Sequence, residues 1–588
     1  MNNKITIKTL FSLILEKKPM LIYGQIITLF AILVSVPIPL MLPVMVDEVL
    51  LNKPGLFVET INAILGSTSA FNYILIVALA VIFLRFTYYI FTVILTKIFT
   101  RISKYVTFMI RKRLIEHLQI TSMNEYETIG SGSITSNLVT DVNTLDGFII
   151  TAVSKVVSSA LTLVAIGIIM LSIDPILGLM ILIIQPLIML LSKKMSKKVG
   201  ELKKRENAAI AKFQEDVGES LELFGQIKAS NQEHFFFSRA IKLANEIQIT
   251  SNEYGYKNVA YERLSYTIFL IMFEMLRASG LLLVVYSDLS IGMMFAMFGY
   301  IWFIMTPVQD LLGFQYSYAS AMSALERINR VLSLKTEVSG TKILETDAIN
   351  ITLKEVDFSY SNGKSILKNI SISIPQGCKI ALIGASGSGK TTLAQVISGF
   401  YEKSAGDIFY NDIPTEDLDK SSLREKIYLV LQMPILFNSS LRFNITMGDE
   451  SITDAAIHKA LKTAQLYDMI HKMDDGLETI VGHHGVRLSG GQRQRLSIAR
   501  MIIANPSVVI FDESTSALDV HTEMKLQVAL ESILENKTVI TIAHRLSTVK
   551  NANQIYVLEE GRIVQNGTHE ALENEEGHYK EFVKKQLI

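Results

Sequence analysis

Two kinds of patterning divide this chain. Up to about residue 330 the apolar positions come in long unbroken runs, and from about residue 345 they come in short runs set between polar and glycine-rich stretches. A helix that crosses a bilayer needs about 20 mostly apolar residues. Six runs qualify, at about 20–46, 73–97, 148–172, 175–192, 264–287 and 289–312. The third and fourth are split only by Ser172–Pro175, and the fifth and sixth only by Ser287–Ser290, so each pair is expected to form a tight hairpin. Pro37, Pro39 and Pro43 are expected to bend or unwind the outer half of the first run, because proline brings no amide to the helix ladder. Ahead of it, Ile7, Leu10, Phe11 and Ile14 recur at steps of three and four among Lys4, Lys8, Lys17 and Lys18. That is the pattern of an amphipathic helix lying on the membrane surface. No small-residue cleavage site ends the first run, which disfavours a cleaved signal peptide.

The charges orient the spans. The connection after the second run carries Lys97, Arg101, Lys104, Arg111, Lys112 and Arg113, and the one after the fourth carries Lys193, Lys194, Lys197, Lys198, Lys203, Lys204 and Arg205. Beyond Lys53 the opposite loops hold little positive charge. The excess of basic residues puts both long connections, and with six crossings both termini, in the cytoplasm. The connections run to about 50 and 70 residues with helical patterning. Helices are therefore expected to leave the membrane, turn near Ser122–Thr128 and near Phe213–Gly225, and return. An arm of about 25 residues reaches about 37 Å.

Charges within the spans carry two readings. Glu274 and Arg277 stand three apart on one helix face; they are candidates for a cargo cavity or a pair that neutralises itself inside the bundle. Arg85 lies in the second run, and Asp310 reads as interfacial. Met293, Met294, Met297 and Met305 suit either an adaptable binding surface or ordinary packing.

The bulk numbers agree with a membrane part joined to a soluble part. The 588 residues allow two to four domains; 49% are apolar and the mean hydropathy is +0.34. Lys+Arg and Asp+Glu balance at 56 each, so net charge gives no pointer to nucleic acid. Cys378 is the one cysteine, which excludes an intrachain disulfide and reads as a small buried apolar residue.

In the second part, Lys379–Ile383 reads as a buried strand, followed by Gly384-Ala-Ser386-Gly387-Ser388-Gly389-Lys390-Thr391 and a helical pattern from Thr392. This is a phosphate loop in the strand–loop–helix setting it requires. Its glycines let backbone N–H groups close around phosphate at a helix N-terminus. Lys390 reaches the β and γ phosphates and Thr391 ligates Mg²⁺. A second apolar strand, Ser507–Phe511, ends in Asp512 and Glu513. There Asp512 is placed to hold Mg²⁺ through water and Glu513 to deprotonate the attacking water.

Leu488-Ser489-Gly490-Gly491-Gln492 resembles the signature of ATP-binding cassette (ABC) proteins, and other motifs of that family appear in family order. Tyr360 matches the aromatic that stacks on adenine, and Gln432 the glutamine loop, which implies a place at Mg²⁺ and in catalysis. Ser516–Asp519 matches the D-loop, and His544 the switch histidine that contacts the γ phosphate. In the membrane half, Gly132–Asp141, Glu219–Leu221, Ile227-Lys228, Glu233 and Ala324–Ile328 are similar to the family's loop and linker stretches. The whole chain resembles a half-size type I (type IV fold) ABC exporter. The resemblance implies that each ATP is held between Lys390 of one chain and Ser489, Gly490, Gly491 and Gln492 of another, and hence a pair of chains, a homodimer being the simplest assembly and a heterodimer the alternative. His483 and His484 are neighbours that would not face the same way, and no third ligand is spaced nearby, so a metal site is not expected there. Ile480 stands where the family has a glutamate thought to touch the partner's coupling helix, so that contact is not carried over.

The expected architecture is an amphipathic helix at 1–19, an all-α six-span transmembrane domain with cytoplasmic coupling helices at 20–330, a linker at 331–348, and an α/β P-loop NTPase cassette at 349–588. The expected function is ATP-driven, Mg²⁺-dependent export of an amphipathic or hydrophobic cargo (lipid, lipid-linked molecule, drug or peptide) across a bacterial inner membrane. An ATP-gated or regulatory protein on the same frame is the alternative, which an intact Glu513 disfavours. Six spans exclude a soluble DNA-repair ATPase. An importer would keep membrane part and cassette on separate chains, and a protease-coupled peptide exporter would carry an extra N-terminal Cys/His domain.

Overall fold

The computed structural model describes residues 4–53, 55–66, 69–360, 363–432, 434–482, 488–512, 520–543 and 546–587. The chain packs as two compact units, one of residues 1–114 and 136–330, the other of 115–135 and 331–588.

The first unit is helical. Among the described residues, five helical stretches are long and apolar enough to cross a membrane: Lys18–Leu50, Ala70–Gln119, Ser131–Ile173, Glu233–Tyr286 and Ile291–Leu332. The remaining apolar run lies in the helix Pro175–Glu222, whose described apolar stretch is Pro175–Ile184. The expected surface helix is Ile7–Leu15, closed at its start by a reciprocal Thr6–Thr9 capping box, with Leu10 and Ile14 buried. The three prolines act as expected. The first span is regular only to Ser35, continues as a tight turn at Ile38–Leu40, and ends in a π-helical stretch, Val44–Leu50. Asp47 on that stretch accepts the Gly292 amide at 2.9 Å, joining the outer end of the first span to the start of the last. The hairpin at Ser172–Pro175 turns on Asp174, whose carboxylate accepts the Leu177 amide at 2.8 Å and so caps the next helix.

The bundle core is made by Ile166, Met170, Leu177, Ile181, Leu276, Met294, Met297, Tyr300 and Ile304 among others. Met294 and Met297 are therefore packing residues. The second turn falls at the end of the expected Phe213–Gly225 stretch. Phe213 is inside the helix Pro175–Glu222, and the chain turns at Leu223, passes through the short helix Phe224–Ala229, and reverses at Asn231. Ala208, Ala209, Ala211, Lys212, Gln214 and Glu215 are strong helix formers, and they carry the helix through the first part of that expected stretch. Asn231 takes φ +51°, a left-handed conformation asparagine tolerates.

The second unit is α/β. Its strands are β1 (Ile351–Ser359), β2 (Ser365–Ile374), β3 (Lys379–Gly384), β4 (Ala405–Tyr410), β5 (Ile413–Pro414), β6 (Ile427–Val430), β7 (Ser439–Ser440), β8 (Ile480–Val481), β9 (Val508–Asp512), β10 (Thr538–Ile542), β11 (Gln554–Glu559) and β12 (Arg562–Gly567). One sheet has the order β12-β11-β3-β10-β9-β6, parallel except for the β11–β12 pair. An antiparallel sheet has the order β2-β1-β4-β5. The two sheets and the helix Lys390–Ile397 share one core, built from Ile351, Phe358, Leu382, Leu393, Ile510 and Ile540 among others. A separate cluster, including Leu441, Ile457, Leu461, Leu466, Leu488 and Leu496, forms the core of a helical part.

Residues 115–135 belong to this unit because the linker holds them. Thr121 pairs antiparallel with Thr336. The Ser122 amide donates to the Lys335 carbonyl at 3.0 Å and the Glu337 amide to the Ile120 carbonyl at 2.8 Å. The first turn is thereby a short helix, Met123–Ile129, ended by Gly130 at φ +77°.

Candidate functional site

The site starts from β3, whose Ile380–Ile383 are buried and which lies in the middle of the parallel sheet between β11 and β10. The carboxyl end of such a strand is where a parallel sheet binds ligands. Here the chain turns through Gly384–Gly389 into the helix Lys390–Ile397. Two glycines are obligatory. A Cβ at Gly384 would collide with the Leu558 carbonyl oxygen. Gly389 is the helix N-cap at φ +102°, where a side chain would be strained and would press on Leu367 at 3.0 Å.

The loop's side chains are arranged for an anion. Lys390 is buried, and its ammonium donates to the Gly384 and Ala385 carbonyls at 2.9 and 3.0 Å, so it folds back over its own loop. Ser388 is 4% exposed, and its buried hydroxyl has no hydrogen-bond partner among the described residues. An orphaned donor at a helix N-terminus suits a phosphate oxygen. Next along, the Thr391 hydroxyl donates to Asp512 Oδ1 at 3.2 Å, and Asp512 is buried at the end of β9. A hydroxyl and a carboxylate side by side are the hard oxygen donors that Mg²⁺ takes. Tyr360 follows β1, with its hydroxyl 3.1 Å from Thr392 Oγ1. The structure thus brings Gly384, Ser386, Gly387, Ser388, Gly389, Lys390, Thr391, Thr392, Asp512 and Tyr360 to one region of the unit.

Ser489 lies elsewhere in the unit. It is the N-cap of the helix Gly490–Ala504, which packs on the helical part's core through Leu496 and Ala499. Ser489 and Gln492 close a capping box. The Ser489 amide donates to Gln492 Oε1 at 2.7 Å, and the Gln492 amide to Ser489 Oγ at 3.3 Å. The box uses both side chains and leaves the Gly490 and Gly491 amides outside the intrahelical ladder. Gln432 is exposed, and its carbonyl accepts from Gln494 at 3.2 Å. Ile480, in β8, is 52% exposed. Glu513, Asp519, His544, His483 and His484 lie outside the described residues.

In the first unit, Glu274 and Arg277 form an ion pair with each other, and each side chain is 55% exposed. Asp310 has partners that the sequence does not announce. It pairs with Lys155 at 3.2 Å and accepts from Ser159 at 3.4 Å, and nothing local in sequence connects these positions. Sequence reasoning also missed Tyr401, a buried tyrosine whose hydroxyl lies 2.9 and 2.8 Å from the two carboxylate oxygens of Glu127. Burial, and after it the Glu127 carboxylate, hold that hydroxyl above the usual tyrosine pKa. The aromatic pair Phe400-Tyr401 after the loop helix was the only signal available.

Comparison with known proteins places both units. Residues 367–516 match the family described as ABC transporter, and residues 21–308 match the ABC transporter transmembrane region. The chain is 31% identical to an uncharacterized ABC transporter ATP-binding protein, YknV, of Bacillus subtilis (strain 168), over 82% of this chain and 80% of that protein. It is 32% identical to the ATP-dependent lipid A-core flippase of Pasteurella multocida (strain Pm70), over 81% of this chain and 83% of that protein. Among solved structures it is similar in fold to a bacterial Atm1-family ABC exporter with ATP bound. The TM-score is 0.80 at 23% identity, covering 97% of this chain and 100% of that one.

The orphaned Ser388 hydroxyl gives a two-sided test. Ser388→Ala removes a buried, unpaired polar group, so the melting midpoint of the nucleotide-free protein should hold or rise, by no more than about 1 kcal/mol of stability. The same variant should bind ATP more weakly in a titration. A destabilised variant with unchanged ATP affinity would remove Ser388 from the phosphate site.

Proposed function

The chain belongs to the ABC exporters, ATP hydrolases coupled to transmembrane transport, and from this we propose that it moves an amphipathic cargo, foremost a lipid or lipid-linked molecule, by alternating access. The observation that carries the proposal is a complete phosphate loop, with a partnerless buried Ser388 hydroxyl and the Thr391–Asp512 pair beside it. It stands in one chain with helices of up to 54 residues that extend well beyond membrane thickness. The likeness to a lipid A-core flippase supports lipid over drug or peptide. The protein lies in the inner membrane with both termini and the cassette in the cytoplasm, and functions with a second copy of itself.

The chemistry follows from the residues. ATP enters with its base on Tyr360 and its phosphates in the loop of one copy. Lys390 turns from the Gly384 and Ala385 carbonyls to the β and γ oxygens, exchanging dipoles for full negative charge. Thr391 and Asp512, with Gln432, would hold Mg²⁺, which when bound neutralises phosphate charge. Ser489 and the Gly490 and Gly491 amides of the other copy close on the γ phosphate as a helix N-terminus closes on an anion. ATP thus joins two copies. That closure draws the cytoplasmic tips together and turns the bundle outward. Glu513 takes a proton from the attacking water, and His544 and Asp519 are assigned by their motifs to the bound ATP. Hydrolysis removes the joining charge and resets the cycle.

Glu513→Gln keeps the shape and hydrogen bonding of the base but cannot accept the proton. It should lower hydrolysis in lipid nanodiscs by about 10²- to 10⁴-fold while leaving ATP affinity within a few-fold and accumulating a closed dimer. Hydrolysis at the wild-type rate would assign the base elsewhere. For cargo, we assign Glu274 and Arg277 to the surface that meets it, because the ion pair they form stays half-exposed within a span, where charged groups by default mark a functional surface. Glu274→Gln with Arg277→Met should change the stimulation of ATPase by added lipid. Unchanged stimulation and unchanged transport would make the pair structural.

A further inference from the structure

The tip Met123–Ile129 and the nucleotide site are joined by a continuous series of side-chain contacts, all within the second compact unit. At one end the tip is clasped to the linker through the Thr121–Thr336 pairing and its flanking amides. His117 adds a ring nitrogen 3.2 Å from the Leu334 carbonyl. From the tip, Glu127 presents both carboxylate oxygens to the Tyr401 hydroxyl. The Tyr401 ring meets Tyr360 edge to face, with centroids 5.5 Å apart and planes at 87°, and leans on Phe358 at 5.4 Å. The Tyr360 hydroxyl is bonded to Thr392, one residue beyond Thr391.

We propose that Glu127, Tyr401 and Tyr360 form a relay through which adenine binding and docking of the Met123–Ile129 tip strengthen each other, with Glu127 and Tyr401 as positioning residues for the nucleotide. The proposal rests on the adenine contact assigned to Tyr360 above. Its physical basis is the buried phenol. Tyr401 is 5% exposed, and a buried tyrosine hydroxyl requires a partner; Glu127 supplies it. When the tip leaves, the hydroxyl loses its acceptor, and the ring must move toward water to find another. That movement takes the edge contact away from Tyr360. Tyr360 then keeps its hydroxyl contact and Phe358 at 5.0 Å but loses the edge contact of Tyr401, and its face is less well fixed for a base. A base that fixes Tyr360 also fixes Tyr401 where Glu127 can reach it. Coupling of this kind is reciprocal by thermodynamic necessity.

The test uses the full-length chain in lipid nanodiscs and reads KM for MgATP separately from kcat. Tyr401→Phe keeps the ring and its packing and removes only the hydroxyl. It should raise KM at least about fivefold, the lower end of ordinary coupling between sites, with kcat within about twofold. Glu127→Ala should match it, Glu127→Gln should recover most of the loss because it still accepts a hydrogen bond, and the double variant should be no worse than either single one. In a Tyr360→Ala background, Tyr401→Phe should have no further effect on KM. A KM within twofold of wild type in Tyr401→Phe, or an equal penalty with and without the Tyr360 ring, overturns the relay and leaves the adenine contact standing. A Tyr360→Ala variant with unchanged KM overturns the adenine contact, and the relay with it.

Discussion

A backbone amide in hydrocarbon has no water to bond with, so any segment that crosses the bilayer must satisfy its own hydrogen bonds. That constraint dictates the form of this protein. It confines the membrane part to helices and puts every irregular loop, and all phosphate chemistry, outside the bilayer. What happens at a phosphate can reach the spans only along helices that leave the membrane intact. The helices Ala70–Gln119, Pro175–Glu222 and Glu233–Tyr286 run 50, 48 and 54 residues for this reason. The marked departure from regular helix in the first span, from Pro37 to Leu50, is tied to the start of the last span, where the Asp47 carboxylate accepts the Gly292 amide.

At the aqueous end the same bookkeeping of donors and acceptors shapes the site. The phosphate loop concentrates donors where a helix begins, and its Ser388 hydroxyl is buried with no partner among the described residues. The signature helix begins with a capping box in which Ser489 and Gln492 serve each other, leaving the glycine amides to face an outside acceptor. Each loop is half of a phosphate site by its own hydrogen-bond inventory, and they sit on different hydrophobic cores. Two incomplete halves on one chain fit two complete sites on a pair of chains.

Much of this was legible in sequence because it is local. The apolar runs, the prolines at the end of the first span, the Asp174 hairpin, the phosphate loop after β3 and the capping sequence at Ser489 are each written within a few residues. Non-local contacts were not legible. Tyr401 and Glu127 are 274 residues apart, and the pairing of Thr121 with Thr336 unites segments whose own patterns suggest only a turn and a linker. Asp310 pairs with Lys155, which lies on another span. The second turn was legible only to within Phe213–Gly225, because the sustained helical propensity of the residues before Leu223 hides where the helix stops.

The central claim, that each ATP is shared between the loop of one copy and the signature of another, has a direct test. In a Cys378→Ser background, which removes the one native thiol, Ser386→Cys and Ser489→Cys are placed in the same chain and oxidised with ATP present. A disulfide forms only when the two Cα atoms come within about 7 Å. The account predicts an ATP-dependent link between chains, seen as a dimer on a non-reducing gel. A link within the chain, consuming both thiols in a monomer, would contradict it.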